Sequence, residues 1–212
     1  MNGNSEQCAG TLYVVSAPSG AGKTSLVAAL VESDANIEVS VSHTTRIARE
    51  GEVDGEHYHF VDKAAFESMR EAGSFLEHAQ VFDNFYGTSK IAVERRLAAG
   101  KDVILEIDWQ GAAQVRAMMR GVVTVFVLPP SRQALEQRLR GRGQDDETVI
   151  ARRMYDAEAE MSHYAEFDFL VINDVFEDAL VDLRALVQAH RLQLAAQQAR
   201  LAGTIEELLA TS

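Results

Sequence analysis

Cysteine is nearly absent: Cys8 is the single thiol in 212 residues. One thiol cannot close an internal bridge, so the fold must rest on buried apolar surface, and a reducing, cytoplasmic setting is expected. Long apolar runs are missing too. No stretch approaches the roughly 18 residues of a membrane span, and the opening MNGNSEQCAG lacks the apolar core of a secretory leader. No membrane partner is expected. Lysine is scarce, with four (Lys23, Lys63, Lys90, Lys101) against sixteen arginines, and the formal net charge is -12. That charge argues against a general nucleic-acid binder, which needs a basic face. It leaves room for a small phosphorylated ligand held by a few arginines. The six histidines (His43, His57, His59, His78, His163, His190) follow no metal-ligand spacing. What remains, 47% hydrophobic and 25% charged, is the composition of a packed globular chain.

Five short apolar runs rich in β-branched residues, 12–17, 37–42, 103–108, 122–128 and 167–173, read as strands buried on both faces, as in a parallel sheet. Helical patterns lie between them at 24–33, 92–99, 110–119, 132–140 and 176–190. The alternation gives an α/β class with a mostly parallel sheet flanked by helices. Two stretches break it. Residues 43–90 are polar and aromatic, with short strand candidates at 57–61 and 75–81, and read as an inserted subdomain. Residues 131–153 hold six arginines (Arg132, Arg138, Arg140, Arg142, Arg152, Arg153), no lysine, and a glycine-flanked link at Gly141-Arg142-Gly143. The tail 189–209 reads as helix, free to pack on the body or on a second subunit. Residues 1–10 read as a disordered lead-in.

The strongest local motif is Ala17-Pro18-Ser19-Gly20-Ala21-Gly22-Lys23-Thr24, between the first strand and the first helix. That context is the one a phosphate-binding loop requires. Its glycines let backbone N–H groups turn inward around a phosphate, and the helix N-terminus adds favourable partial charge. Lys23 is expected on the β- and γ-phosphates of a nucleoside triphosphate and the Thr24 hydroxyl on Mg²⁺. The pattern usually opens with glycine, where this chain has Ala17.

Further motifs follow in order: Ser42-His43-Thr44-Thr45-Arg46 with Arg49, then Gly51-Glu52-Val53-Asp54-Gly55 with Tyr58. Next come Phe75-Leu76-Glu77, Tyr86-Gly87-Thr88, Glu106-Ile107-Asp108-Trp109-Gln110-Gly111 and Arg138-Leu139-Arg140-Gly141-Arg142-Gly143. In order and spacing, from about residue 11 to 190, this set resembles the guanylate kinases. The resemblance implies a P-loop kinase core (11–42, 91–130, 161–212) with a five-stranded parallel sheet, an inserted mixed α/β GMP-binding subdomain (43–90) and a helical lid (131–160). It implies ATP and GMP as substrates, Mg²⁺ beside ATP, and transfer of the terminal phosphate of ATP to GMP. It places Ser42, Arg46, Arg49, Tyr58 and Tyr86 on the GMP phosphate, and Glu77, Gly87, Thr88 and Asp108 around the guanine. Arg138, Arg142 and Arg153, with Arg46 and Lys23, fall on the transferring group, and Asn173 near the adenine. Asp108 admits a second role beside the metal, shared with Glu106 on the same strand face. Trp109 is read as packing. Two other readings, a different small-molecule kinase on the same scaffold and a non-catalytic peptide-binding module, fit less well. The first would lack Glu77 and Thr88; the second would not need Lys23, Thr24 or the lid arginines.

Overall fold

A computed structural model describes residues 10–81, 83–141 and 147–210. Arg142, Cys8 and all of the expected lead-in except Gly10 lie outside the described residues. The first apolar run forms β1 (Leu12–Ser16), buried at all five positions. The chain turns through the glycine-rich loop into α1 (Lys23–Ser33), whose Leu26, Val27 and Leu30 make one buried face. β2 (Ile37–Val39) is shorter than the expected run to residue 42. The Ser40 N–H still reaches the Ile104 carbonyl at 2.9 Å, and then the chain leaves for a different sheet.

That sheet comprises β3 (His43–Thr44), β4 (His59–Phe60), β5 (Phe75–Val81) and β6 (Asn84–Ser89), with α2 (Lys63–Glu71) between β4 and β5. Its order is β4-β3-β6-β5. The β5–β6 and β3–β6 pairs are antiparallel, and β3–β4 is parallel. The Asp62 carboxylate caps α2 by accepting the Ala65 N–H at 2.7 Å. Phe66 from α2 stacks between Phe75 and Phe85, with ring centroids 4.7 and 5.6 Å away, so the subdomain has an aromatic core of its own.

The chain returns through α3 (Lys90–Ala98), β7 (Asp102–Glu106), α4 (Trp109–Met118) and β8 (Val123–Leu128). Two helices follow, α5 (Arg132–Arg140) and α6 (Glu147–Met161), then a 3₁₀ turn at Tyr164–Glu166, β9 (Phe169–Ile172) and α7 (Phe176–Arg191). The main sheet runs β2-β7-β1-β8-β9, every pair parallel. Strand alternation sorts β1 into two layers. Tyr13 and Val15 face α1 and α7 beside Leu30 and Leu183, while Leu12 and Val14 face α3 and α4 beside Leu97 and Val115. With β1 central, the loops after β1 and β7 leave the same sheet edge, where open α/β sheets place ligands.

The tail is not one helix. It breaks into α8 (Leu194–Arg200) and α9 (Ala202–Leu209). A first break comes at the end of α7. Arg191 is held by Asp34 (2.5 Å) and Asp102 (2.8 Å), and its carbonyl accepts the Gln197 side-chain amide (3.0 Å), which turns the chain. Leu194, Leu208 and Leu209 stay exposed on the tail. No described helix is long and apolar enough to cross a membrane.

Asp102 is buried, and its other oxygen accepts the Thr11 N–H at 2.7 Å. Removing its cation leaves a buried charge half-paired, which is more costly than losing a surface pair. Arg191→Ala should lower unfolding free energy by about 2 kcal/mol in urea titrations, whereas Arg152→Ala, on an exposed pair with Asp156, should change it by less than about 0.5 kcal/mol.

Candidate active site

The loop 17–24 is held in shape by its own glycines and by two distant elements. Gly20 and Gly22 both have φ of 91°, the left-handed region that costs residues with a Cβ about 1–2 kcal/mol. Gly22 is also the residue from which α1 starts, and a Cβ on it would lie 2.4 Å from the Asn173 amide nitrogen. Ala21 is fully buried, and its carbonyl accepts the Asn173 amide (2.7 Å) and an Arg138 N–H (3.4 Å). A second Arg138 N–H reaches the Asn173 carbonyl at 2.9 Å. Arg138 and Asn173 therefore brace the back of the loop. Ala17, the departure from the usual glycine, packs on the α1 side of the core, where its methyl adds contact.

Lys23 opens α1 and its ammonium approaches the Ile107 carbonyl at 3.4 Å. Burial pushes its pKa down, opposed by the nearby carboxylates of Glu106, Asp108 and Glu160. The Thr24 hydroxyl donates to Glu106 at 3.1 Å. The two acids that sequence reasoning left together are thereby separated. Glu106 faces Thr24, while Asp108 lies past the strand end as the cap of α4, accepting the Gly111 N–H at 2.7 Å.

Across the cleft, Glu77 of β5 and Thr88 of β6 are buried partners in register. The Thr88 hydroxyl donates to Glu77 at 2.5 Å and lies 3.3 Å from the Ser42 hydroxyl. Burial raises the Glu77 carboxyl above the usual carboxylate range, with the Thr88 hydrogen bond working against that rise and the Asp108 charge with it. Arg46 forks onto Glu52 at 2.9 and 2.8 Å and lies over the Tyr58 ring, 5.4 Å from its centroid. Tyr86 lies beside the same guanidinium and meets Tyr58 edge-on at 5.9 Å. Glu52 also accepts the Arg49 N–H (2.7 Å), and its carboxyl is held down to about 2, chiefly by Arg46. Ser42, Arg46, Tyr58, Tyr86, Glu77 and Thr88 thus come together. Arg49 joins them through its backbone, its side chain remaining exposed. Gly87 has a packing reason to be glycine, since a Cβ there would meet Phe75 at 3.0 Å.

Over the loop, Leu135 and Leu139 of α5 back Gly20, and they pack with Ile150, Met154 and Ala157 of α6. Arg153 sits half-buried on α6. Trp109, read from sequence as packing, stacks flat on His163 just beyond α6, with centroids 3.4 Å apart. Three acids that sequence reasoning gave no settled role, Glu52, Glu106 and Glu160, all touch the site. Glu52 stands six residues from Arg46, within Gly51-Glu52-Val53-Asp54-Gly55, so its place beside an arginine expected on a phosphate carries a local signal.

These features agree with what the chain is similar to. A family model described as guanylate kinase matches residues 9–190. The guanylate kinase of Methylococcus capsulatus is 62% identical over 200 residues, covering 94% of this chain and 98% of that protein. That of Escherichia coli K12 is 56% identical over 203 residues, covering 95% and 98%. The crystal structure of guanylate kinase from Anaplasma phagocytophilum superposes with a TM-score of 0.71 at 33% identity, covering 89% of each chain.

Gly22→Ala combines a left-handed φ with a collision, so it should cost about 2–3 kcal/mol of stability. Gly121→Ala, at φ 75° with nothing near its Cβ, should cost only about 1 kcal/mol. Thermal unfolding of the two variants checks the difference; equal losses would mean that Asn173 does not press on the loop.

Proposed function

The chain belongs to the guanylate kinase family, and we propose that its cleft carries out transfer from ATP to GMP with the following division of labour. The enzyme is a nucleoside-monophosphate kinase. The observation that carries the detailed reading is a braced phosphate loop and a buried carboxylate, Glu77, brought to one place, with the Asp108 charge acting on both Lys23 and Glu77. The acceptor is a phosphate monoester with a second pKa of about 6, already a nucleophile at neutral pH, so no general base is required. The obstacle is bringing two polyanions together, which cations and positioned donors address.

On the donor side, the N–H groups of residues 19–24, apart from Ala21, which donates to the Pro18 carbonyl, cradle the ATP phosphates, and Lys23 neutralises their charge. Triphosphate contact restores to the Lys23 ammonium the stabilisation that burial removes. Thr24 and Glu106 present hard oxygen atoms 3.1 Å apart, a donor set that fits Mg²⁺. Mg²⁺ bound there would supply charge neutralisation between the β- and γ-phosphates. Arg153, together with Arg142 of the same segment, is assigned to the transferring group. Arg138 and Asn173 also hold the loop, through the Ala21 carbonyl and the Asn173 backbone carbonyl. Each keeps further polar atoms, so Asn173 retains the place near the adenine and Arg138 the place at the transferring group.

On the acceptor side, Arg46, Arg49, Ser42, Tyr58 and Tyr86 hold the GMP phosphate, with Glu52 presenting Arg46. Glu77 reads the guanine. Its ionised carboxylate accepts from N1–H and the N2 amino group together, which adenine cannot offer. Thr88 orients Glu77, Gly87 lets β6 pack close behind, and Asp108, fixed as the α4 cap, completes the guanine side. The exposed leucines of α8 and α9 favour a homo-oligomer through the tail.

Two outcomes test this reading. Lys23→Met should reduce kcat by about a thousandfold while calorimetry shows GMP affinity within about twofold of wild type; near-normal turnover would refute the donor assignment. Glu77→Gln should lower kcat/KM for GMP by about 100-fold, with ATP affinity unchanged. The wild type should use IMP poorly, because IMP lacks the amino group. The raised Glu77 pKa adds a sign. Guanine binds the ionised form, so GMP affinity should fall as pH drops through the raised value. Titration of the GMP phosphate is common to both proteins, so the component missing from Glu77→Gln belongs to Glu77. Equal pH profiles would remove Glu77 from the guanine.

A further inference from the structure

Among the described residues, one carboxylate stands where a phosphate is expected. Glu160, in the last turn of α6, reaches 141 residues back along the chain, and its Oε2 accepts the Ser19 N–H at 3.2 Å. Ser19 is the third residue of the phosphate loop, and its amide belongs to the row that the loop offers to anions. Lys23 feels the Glu160 charge. Burial raises the Glu160 carboxyl and the Asp108 and Asp156 charges add to the rise, while the Ser19 N–H and Lys23 oppose it. The two groups that hold the carboxylate in this place are ones that would serve a nucleotide phosphate.

The position of Glu160 is tied to the rest of the lid. Arg153 lies seven residues earlier on α6, two turns away on the same stripe. The buried face of α6 packs on Leu135 and Leu139, which back Gly20 of the loop. The His163 N–H bonds the Glu160 carbonyl at 3.2 Å, and the His163 ring stacks on Trp109 of the core at an 8° interplanar angle. The backbone at Glu160 is thereby joined to that stack, so any shift of the α6 end on losing the Ser19 contact is felt there.

We propose that Glu160 is a positioning residue that occupies the donor-phosphate position in the nucleotide-free enzyme, tethering α6 to the phosphate loop until ATP displaces it. The inference rests on the reading of the loop as the ATP site. A carboxylate and a triphosphate cannot share the Ser19 N–H, and two anions at that distance repel. ATP entry therefore breaks the tether and frees α6 to carry Arg153 to a new position. The same contact keeps α6 seated near the loop when no nucleotide is bound.

Calorimetric titration with ATP in the absence of GMP tests this on wild type, Glu160→Gln and Glu160→Ala. The Gln variant keeps the shape and loses the charge; the Ala variant removes the occupant. Damage to the fold would weaken nucleotide binding, whereas loss of a competing anion strengthens it, so the sign separates the two. ATP should bind about fivefold more tightly to the Ala variant, the scale of a half-buried charge-assisted hydrogen bond, with GMP affinity unchanged. Trp109 is the protein's single tryptophan, so its emission reports the stack. The emission change on adding ATP should be smaller in Glu160→Ala than in wild type. Tightening in either variant with GMP affinity held, together with a reduced emission change in the Ala variant, supports the tether. No tightening in either, joint loss of ATP and GMP affinity, or a full-sized emission change in the Ala variant overturns it. A wild type that fails to bind ATP at all would instead refute the loop assignment on which the inference stands.

Discussion

A phosphate loop turns backbone N–H groups inward, so most of its carbonyls must find partners elsewhere; within the loop the Pro18 carbonyl is met locally, by the Ala21 N–H at 3.1 Å. In this protein the outside partners are side chains from distant parts of the chain. The Ala21 carbonyl takes donors from Asn173 and Arg138, and Arg138 in turn ties down the Asn173 carbonyl. Ala21 is fully buried, and the residues either side of it are left-handed glycines. The loop is therefore a junction at which β1, α1, α5 and the segment after β9 meet. Any change that shifts α5 shifts the loop as well, because Leu135 and Leu139 rest on Gly20.

Charge is the second constraint. A chain with net charge -12 binds two polyanions, and the structure shows how local order overrides the global balance. Arg46 is stacked over Tyr58 and forked by Glu52, which also fixes the Arg49 backbone. A guanidinium has five N–H donors, so the Glu52 fork leaves donors for a phosphate while removing most of the side chain's freedom. Pre-ordering of this kind reduces the entropy that binding must otherwise spend. Lys23 shows the opposite arrangement, with burial opposing its charge until a ligand supplies compensation.

How much of this was legible depends on distance along the chain. The phosphate loop was, because all eight residues are contiguous and their spacing is itself the mechanism. The five parallel strands were, because burial on both faces demands unbroken β-branched runs such as residues 122–128. Their ends were not. β2 stops at Val39 because the chain must leave for the second sheet, a decision made by the pairing of His43 with Gly87 and His59. The tail helix breaks where Gln197 bonds the Arg191 carbonyl, a contact that helical periodicity does not register. Candidate residues within one motif, such as Arg46 and Glu52, could be picked out together, whereas bracing contacts that depend on tertiary approach could not. The Asn173 amide bonds a carbonyl 152 residues away, a contact with no local signature. Glu160 looked like one more acid on a helix, because nothing local marks it as facing Ser19.

The acceptor half depends on a chain of hydroxyls that links two tasks. Ser42 is assigned to the GMP phosphate and Glu77 to the base, and Thr88 lies between them, 3.3 Å from one and 2.5 Å from the other. Thr88 is fully buried, so its hydroxyl has no water to fall back on and its proton is committed to Glu77. A substitution that removes the Thr88 hydroxyl therefore disturbs Glu77 and Ser42 together, because it takes a partner from each and leaves the buried Glu77 oxygen without its donor.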